Sequence, residues 1–574
     1  MPRLEPHRLH EGIRRYERNI QYQILCHLDS LNVHSSRDAW TTRISQARAA
    51  ELAERAKNPP LDKGAPIDET YRQRKSIATF KRVGSTVAVK DNIVTSSPTL
   101  PNSAASNILR GYVAPEPATI ISLMEDAGLM ILGKTNMDEF GMGSHSQYSA
   151  FGPVRNARNP SLSVGGSSGG SAELVARGMV HYGIGTDTGG SVRLPASYLN
   201  IVGFKPSYGC ISRYGVIPYA NSLDTVGLFA TSCLDLDPLF RVLSQPDPKD
   251  PTCLSAATRA RMQQLRAANN APQLDEDLLH SDHPSSRPQR QRRTLRIGVP
   301  REYNIAELQN GVREAWIRSL NLLAAQGHTI VPISLPLTQQ ALSAYYVLAP
   351  AEASSNLAKY DGVRYGQPRD ETDAATEEVL YSAHRGQLFG EEVRRRILLG
   401  AYSLSAGAMD NFFVRAQKVR RLVQNDFNRV FRAQHPLLPH QPPPDPDNGV
   451  DYIVCPTAPT FPPKVDTLNK RKQADDDVDD VNDDDDAAAS APSPLEAYAN
   501  DVLTVPASLA GLPAVSVPAP PPQDALSARP ERAIGIQVIG QFGSDLDLLT
   551  FTARNLELTQ DWSIFNNELP RAKL

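Results

Sequence analysis

Apolar and polar positions divide the chain into short elements of two kinds. TVAVKDNIV (86–94) is apolar and β-branched before it turns polar, which predicts a buried strand running into a loop. PATIISLMEDAG (117–128) has its apolar residues at helical spacing, and LMILGKTN (129–136) follows as a second buried strand. HYGIGTDTGGS (181–191) begins as a strand and enters a tight, glycine-rich backbone nest. RIGVP (296–300) and DYIVCP (451–456) restart order as short strands after polar stretches. Residues 35–56 predict a helix capped by Ser36, with Ala, Glu and Arg on its exposed face. Residues 391–432 predict a long Arg-rich amphipathic helix or a helix pair. This alternation of strand and helix predicts α/β layering.

The longest uncharged apolar stretch, VLTVPASLAGLPAVSVPAP (502–520), is nearly long enough to span a membrane. Its four prolines, Pro506, Pro513, Pro518 and Pro520, predict short buried strands and turns instead. Three stretches have the composition of insertions: a polar one at 245–294, a Pro-rich one at 435–447, and an Asp-rich one at 469–493. The last has nine Asp between positions 475 and 486, a like-charge block expected to form a solvated loop.

At 574 residues the chain is long enough for a large buried core, so stability requires neither disulfides nor a metal. Lys plus Arg total 60 and Asp plus Glu 63, for a net charge of −3, which argues against a dedicated nucleic-acid-binding surface. The five cysteines are scattered, with no CxxC or Cys/His ligand spacing, as expected of a reducing compartment without structural zinc. Residues 1–34 are an N-terminal extension and a candidate targeting segment. Five arginines before position 20 give it transit-peptide character, against which Glu5, Glu11 and Glu17 count. Residues 35–574 are expected to form a single domain interrupted by the three insertions.

Candidate chemistry is concentrated in the Gly/Ser segments. In GGSSGGS (165–171), glycines on both sides of two serines permit close backbone approach. In GTDTGGSVRLPA (185–196), successive amides at Thr188, Gly189, Gly190 and Ser191 can converge on one anion, as an oxyanion hole requires. VAVKDNI (87–93) places Lys90 at a strand end among apolar neighbours. Neither glycine segment ends in the Lys-Ser/Thr of a P-loop, and the third glycine of a dinucleotide fingerprint is missing. Gly165, Ser167 and Gly169 fit a GxSxG nucleophile elbow, but the histidine expected late in such a chain is absent, since no His follows His440. His145 and His181 lack a second ligand at metal spacing. Asp187 and Arg193, flanking the nest, are expected to pair and hold the loop.

GGSSGGSAELVARG followed by GIGTDTGGSVRLPA, with Lys90 in VAVKDN, resembles the amidase signature family. The resemblance runs from roughly residue 40 to residue 560 and is extended by GKTNMDEFGMGS (133–144), KPSYGCISRYGVIPYANSLDTVG (205–227) and AEASSNLAKYDGVRYG (351–366). It implies an α/β fold whose central twisted mixed β-sheet is covered by helices on both faces. It also implies a Ser-Ser-Lys triad, with Ser191 as nucleophile, Ser167 as the bridging serine held by a cis peptide, and Lys90 as base. Thr188, Gly189, Gly190 and Ser191 supply the oxyanion amides. A lysine acts as base only when neutral, so burial must lower its pKa.

The resemblance further implies a glutaminase that hydrolyses glutamine to glutamate and ammonia within a tRNA-dependent amidotransferase. A zwitterionic substrate needs an acid and an arginine. By motif position these are Asp501 for the α-ammonium and Arg396 for the α-carboxylate, with Tyr345 as a wall. The register within Arg394–Arg396 and Tyr345–Tyr346 stays open by one residue. The expected partners are a B-type amidotransferase subunit together with a small C-type or equivalent accessory subunit. With ATP and Mg held by the partner, the ammonia would convert Glu-tRNA(Gln) to Gln-tRNA(Gln). Charged tRNA would be contacted mainly through that partner. No cofactor or metal is expected in this chain, and no membrane contact. The implied location is the mitochondrial matrix, or the cytoplasm if the source is bacterial. The alternatives are a free-standing amidase acting on small or lipid amides, which has no need of Asp501 and Arg396, and a catalytically inert scaffold.

Overall fold

The computed structural model describes residues 39–43, 84–268, 294–368, 381–438, 448–465, 499–520 and 533–557. Among them, eleven strands form one mixed sheet in the order β1-β3-β2-β4-β6-β5-β10-β11-β9-β7-β8. Their ranges are β1 Trp40–Arg43, β2 Thr86–Lys90, β3 Met130–Thr135, β4 Tyr182–Asp187, β5 Val202–Lys205 and β6 Thr225–Ala230, then β7 Arg296–Pro300, β8 Thr329–Ile333, β9 Tyr452–Pro456, β10 Ala514–Pro518 and β11 Gly535–Ile539. With the intervening helices this is the expected α/β architecture.

Three strands position the chemistry. β2 pairs in parallel with β3 on one side and β4 on the other, and every residue of the three is buried. Strands covered on both faces read as continuous apolar runs, which made them legible in the sequence. Their carboxyl ends lie side by side, with Lys90 opposite Thr135, and β4 ends at Asp187. The crevice beyond the carboxyl ends of parallel strands is the usual place for a ligand in an open α/β sheet. One apolar cluster spans the sheet, joining Val87, Ile184, Phe204, Val515, Ile453 and Ile297. Trp316 is buried in it and donates its Nε1–H to the Val454 carbonyl at 3.0 Å.

The expected elements at 117–128, 129–136, 181–191, 296–300 and 451–456 are present as Thr119–Asp126, β3, β4, β7 and β9. The Arg-rich segment is a helix pair, Glu391–Ser403 and Phe413–Val430. Two expectations need correction. Within the helix expected over 35–56, residues Trp40–Arg43 form strand β1, antiparallel to β3. Trp40, Thr41 and Thr42 favour a strand, and pairing with β3 and burial of Trp40 fix it, whereas the expected helix rested on the Ala, Glu and Arg that follow. The stretch 502–520 holds a helix, Val505–Leu509, as well as strand β10, with Pro506 in the first turn where a missing N–H costs nothing. No helix among the described residues is long and apolar enough to cross a membrane.

The polar stretch at 245–294 is helical over Ala256–Ala268, and its Asp247 and Asp250 are buried. The extension 1–34, the Asp-rich segment 469–493 and most of the Pro-rich segment 435–447 lie outside the described residues.

Gly203 on β5 shows how closely the sheet approaches the helix Arg193–Leu199. A Cβ there would lie 2.5 Å from the Ala196 Cβ and 2.7 Å from the Val192 carbonyl oxygen. Gly203→Ala is therefore expected to push this helix away and cost about 1–3 kcal/mol. Equilibrium urea denaturation measures it, and an unchanged midpoint would contradict the close-packing argument.

Candidate active site

Lys90, at the end of β2, is fully buried. Its Nζ lies 2.7 Å from Ser167 Oγ, 2.8 Å from Ser168 Oγ and 3.0 Å from Thr186 Oγ1. Burial lowers its pKa to about 7, a shift partly offset by the negative charges of Asp138, Asp187 and Asp224. Burial alone does not mark a base. It also lowers Lys205 to about 7 and lowers Lys134, yet Lys205 donates to the carbonyls of Pro206 and Leu512, and Lys134 donates to Asp91 and Asn102. Of these three lysines, Lys90 is the one hydrogen-bonded to serines of GGSSGGS.

The Gly166–Ser167 peptide is cis. Gly165, at φ +76°, lies against the Pro195 backbone, where a Cβ would come within 2.8 Å of the Pro195 Cα. The Ser168 N–H donates to the Ser191 carbonyl at 3.2 Å, which ties the first Gly/Ser segment to the second. Asp138 supports the Ser167 turn from beneath. Its N–H donates to the Ser167 carbonyl at 3.2 Å, and its carboxylate accepts from the N–H groups of Ser146, Gln147 and Tyr148. Burial raises the Asp138 pKa to about 6, against the pull of those hydrogen bonds.

Thr188, Gly189, Gly190 and Ser191 form the turn between β4 and the helix Arg193–Leu199, and Ser191 is half-buried there. Asp187 and Arg193 close this turn as the sequence suggested, pairing at 2.8 Å with both side chains fully buried. The ring of Tyr345 lies against Gly189, where a Cβ would meet its Cζ at 2.7 Å. The same hypothetical carbon on Gly190 would meet Thr504 and lie 3.2 Å from Asp501 Oδ1. The nest therefore leaves no room for side chains at these two positions, and Tyr345 and Asp501 both border it.

Asp501 and Arg396 both approach Tyr346. Asp501 is buried, accepts from Ser144 Oγ at 2.6 Å, and lies 3.5 Å from the Tyr346 hydroxyl. Burial raises its pKa to about 6, opposed by the Ser144 hydrogen bond and the charge of Arg396. The Arg396 guanidinium lies 5.5 Å from the Tyr346 ring centre and donates to the Tyr219 hydroxyl at 2.7 Å and to Glu392 at 2.7 Å. Arg394 and Arg395 are exposed, so Arg396 is the one of the three-arginine run that turns inward. Tyr345 lies against the nest, and Tyr346 contacts both Asp501 and Arg396. The helix Thr338–Leu357 that carries them crosses the Arg396 helix with Gly400 against the Pro350 backbone.

Sequence reasoning missed Ser144, Ser168, Thr186, Tyr219, Glu392 and Asp138. Ser168 and Thr186 stood inside the quoted motifs, beside residues that were chosen. Tyr219 meets Arg396 across 177 positions, a distance no local pattern signals. His145 hydrogen-bonds to Ser163, and His181 to Thr86. Among the described residues, no group of three or more His, Cys, Asp or Glu is arranged to hold a metal ion.

Residues 48–549 match the Amidase family. The chain is 49% identical over 499 residues to the A-type subunit of the mitochondrial glutamyl-tRNA(Gln) amidotransferase of Coccidioides posadasii, covering 85% of this chain and 91% of that one. It is 50% identical over 479 residues to the corresponding protein of Emericella nidulans, covering 80% and 87%. Among solved structures, the A-type subunit of the Thermotoga maritima glutamyl-tRNA(Gln) amidotransferase superposes with a TM-score of 0.62 at 27% identity, covering 97% of this chain and 96% of that one. The chain belongs to the amidase family.

Proposed function

We propose that this chain is the glutamine-hydrolysing, A-type subunit of a mitochondrial glutamyl-tRNA(Gln) amidotransferase. The observation that carries this reading is the pocket itself. An acid, Asp501, and an arginine, Arg396, both approach Tyr346, and Asp501 borders the glycine nest. An α-amino acid can place its ammonium on Asp501 and its carboxylate near Arg396, and glutamine adds the terminal amide. A free-standing amidase for small or lipid amides has no use for this pair. The names of the half-identical fungal relatives support the same reading and the mitochondrial location.

In the proposed mechanism Lys90 is a neutral amine. The Ser168 hydroxyl donates to the Thr186 carbonyl at 3.1 Å, so its oxygen is left to accept from Lys90. Thr186 Oγ1 accepts the second amine proton, and the lysine lone pair is directed at the Ser167 hydroxyl. Ser167 passes its proton to Lys90 and takes one from Ser191, whose oxygen attacks the glutamine amide carbon. The oxyanion forms against the amides of the Thr188–Ser191 nest. Lys90 then returns its proton through Ser167 to the departing nitrogen. Ammonia leaves, and a glutamyl ester remains on Ser191. Water attacks the ester through the same relay and releases glutamate. The net reaction is glutamine plus water to glutamate plus ammonia. A B-type partner, with a C-type or equivalent accessory subunit, would use the ammonia on Glu-tRNA(Gln), holding ATP, Mg and most of the tRNA contacts.

Ser191→Ala is expected to abolish glutamine hydrolysis by the complex while leaving thermal unfolding unchanged, because a half-buried hydroxyl adds little stability. Turnover near the wild-type rate would remove Ser191 from the nucleophile role. Arg396→Ala and Asp501→Ala should each raise the glutamine KM by about 10- to 150-fold, the value of one charge-assisted contact, with far less effect on butyramide, which has no α-groups. Equal losses on both substrates would count against the zwitterion pocket. The pH profile follows from the two shifted groups. Lys90 must be deprotonated, so kcat should rise with pH through about 7. Asp501 must be ionised, so kcat/KM for glutamine should also fall as pH drops below about 6. The lower limb should be absent with butyramide, and its persistence there would contradict the assignment of Asp501.

A further inference from the structure

The motif SRYGVIPYANSLDTVG (212–227) holds two side chains that connect the parts of this site. Asp224 is buried and lies just before β6, whose Thr225 pairs with Asp187 across the sheet. One carboxylate oxygen, Oδ1, accepts from the Thr188 hydroxyl at 2.7 Å. The other, Oδ2, accepts from the backbone N–H groups of Tyr219 at 2.9 Å and Ala220 at 3.0 Å. Thr188 opens the oxyanion nest. Tyr219 accepts from Arg396 through its hydroxyl at 2.7 Å.

The turn from Tyr219 to Asp224 is anchored by other groups as well. The Tyr219 carbonyl accepts from Asn356 at 3.1 Å, the Ser222 N–H donates to Glu352 at 2.9 Å, and Arg420 donates to the Ser222 hydroxyl at 2.6 Å. Asn356 and Glu352 lie at the far end of the helix that carries Tyr345 and Tyr346. The turn is thus braced from outside, and Asp224 is its connection to the nest.

We propose that Asp224 is a positioning residue that sets the oxyanion nest and the α-carboxylate side of the pocket through one carboxylate. This inference rests on the glutaminase reading above. A substrate whose carboxylate end is held by Arg396 then has its amide carbon brought to a nest fixed by the same turn. Two oxygens of one rigid group fix both parts more tightly than two independent contacts would, because the spacing between them does not vary.

The test compares glutamine and butyramide hydrolysis by the complex, with rates normalised to titrated active sites. Asp224→Ala should lower kcat on butyramide about 10-fold through the nest and raise the glutamine KM about 10-fold through Tyr219, these being the sizes expected for single lost hydrogen bonds to a charged group. Asp224→Asn should restore most of both, since its amide oxygen can accept from the two backbone N–H groups while its NH₂ donates to the Thr188 hydroxyl. A residue that only supported the fold would lower the number of active sites and leave normalised kcat and KM unchanged, and that result overturns the proposal. If Asp224→Ala does not fold, Thr188→Val removes the contact of Asp224 to the nest, and Tyr219→Phe removes the hydroxyl by which the Tyr219 turn reaches Arg396. Thr188→Val should lower kcat for both substrates about equally, and Tyr219→Phe should raise only the glutamine KM. An unchanged kcat in the first or an unchanged KM in the second overturns the proposal. A wild-type complex without glutaminase activity would refute the glutaminase reading itself. An active wild type with a kinetically unchanged Asp224→Ala refutes only this inference.

Discussion

The buried pair of Asp187 and Arg193 is the constraint on which the rest of the site depends. All five N–H donors of the Arg193 guanidinium are matched. They go to both oxygens of Asp187, the Thr504 carbonyl, Gln537 and Ser508. Burying two charges is costly unless the geometry satisfies every lone pair and proton, and here it does so for the arginine. The attraction of Arg193 keeps the Asp187 pKa below its ordinary value despite complete burial. Asp187 also accepts from the N–H groups of Val192 and Arg193, so the nest is closed by its own flanking residues. The Thr504 and Ser508 contacts then bind the nest to the C-terminal segment that supplies Asp501. One ion pair thereby holds the Thr188–Ser191 nest and the Asp501 segment in a single frame.

Around that frame the protein uses burial in two ways. Deep in the sheet, burial lowers Lys90 toward neutrality, and hydrogen bonds to Ser168 and Thr186 orient what remains. At the pocket, burial raises Asp501, yet Ser144 and Arg396 keep it ready to ionise near neutral pH. Desolvation sets the direction of each shift and neighbouring charges limit its size. Lys205 shows that the shift alone is not function. It is lowered as far as Lys90 but has backbone carbonyls as partners where Lys90 has hydroxyls.

The site is built from residues far apart in sequence. Tyr219 meets Arg396, Ser144 meets Asp501, and Arg193 meets Gln537. The two helices that carry Tyr345, Tyr346 and Arg396 approach backbone to backbone where Gly400 faces Pro350. A side chain at position 400 would separate them and pull Arg396 away from Tyr346. The placement of Arg396 beside Tyr346 thus depends on a helix crossing away from the nest.

The amino-acid sequence by itself picked out the central strands, the nest and the candidate residues Lys90, Ser167 and Ser191, because each is written locally. β2 and β3 open with apolar runs, β4 leads straight into the glycine nest, and the Gly/Ser segments lie close together along the chain. Local pattern failed at the edge. Trp40–Arg43 reads WTTR, which favours a strand, but the Ala, Glu and Arg that follow made the whole segment look helical, and β3 offers the edge on which it pairs. It also gave only half of 502–520, where a buried helix precedes the strand and apolar periodicity is too short to separate the two. Only the tertiary structure decided which of three arginines faces inward, that both Tyr345 and Tyr346 line the pocket, and that Ser168 and Thr186 orient the lysine. Those choices follow from contacts between segments that a linear pattern does not bring together, and the buried hydrogen bonds of Arg193 and Asp224 are what bring them together.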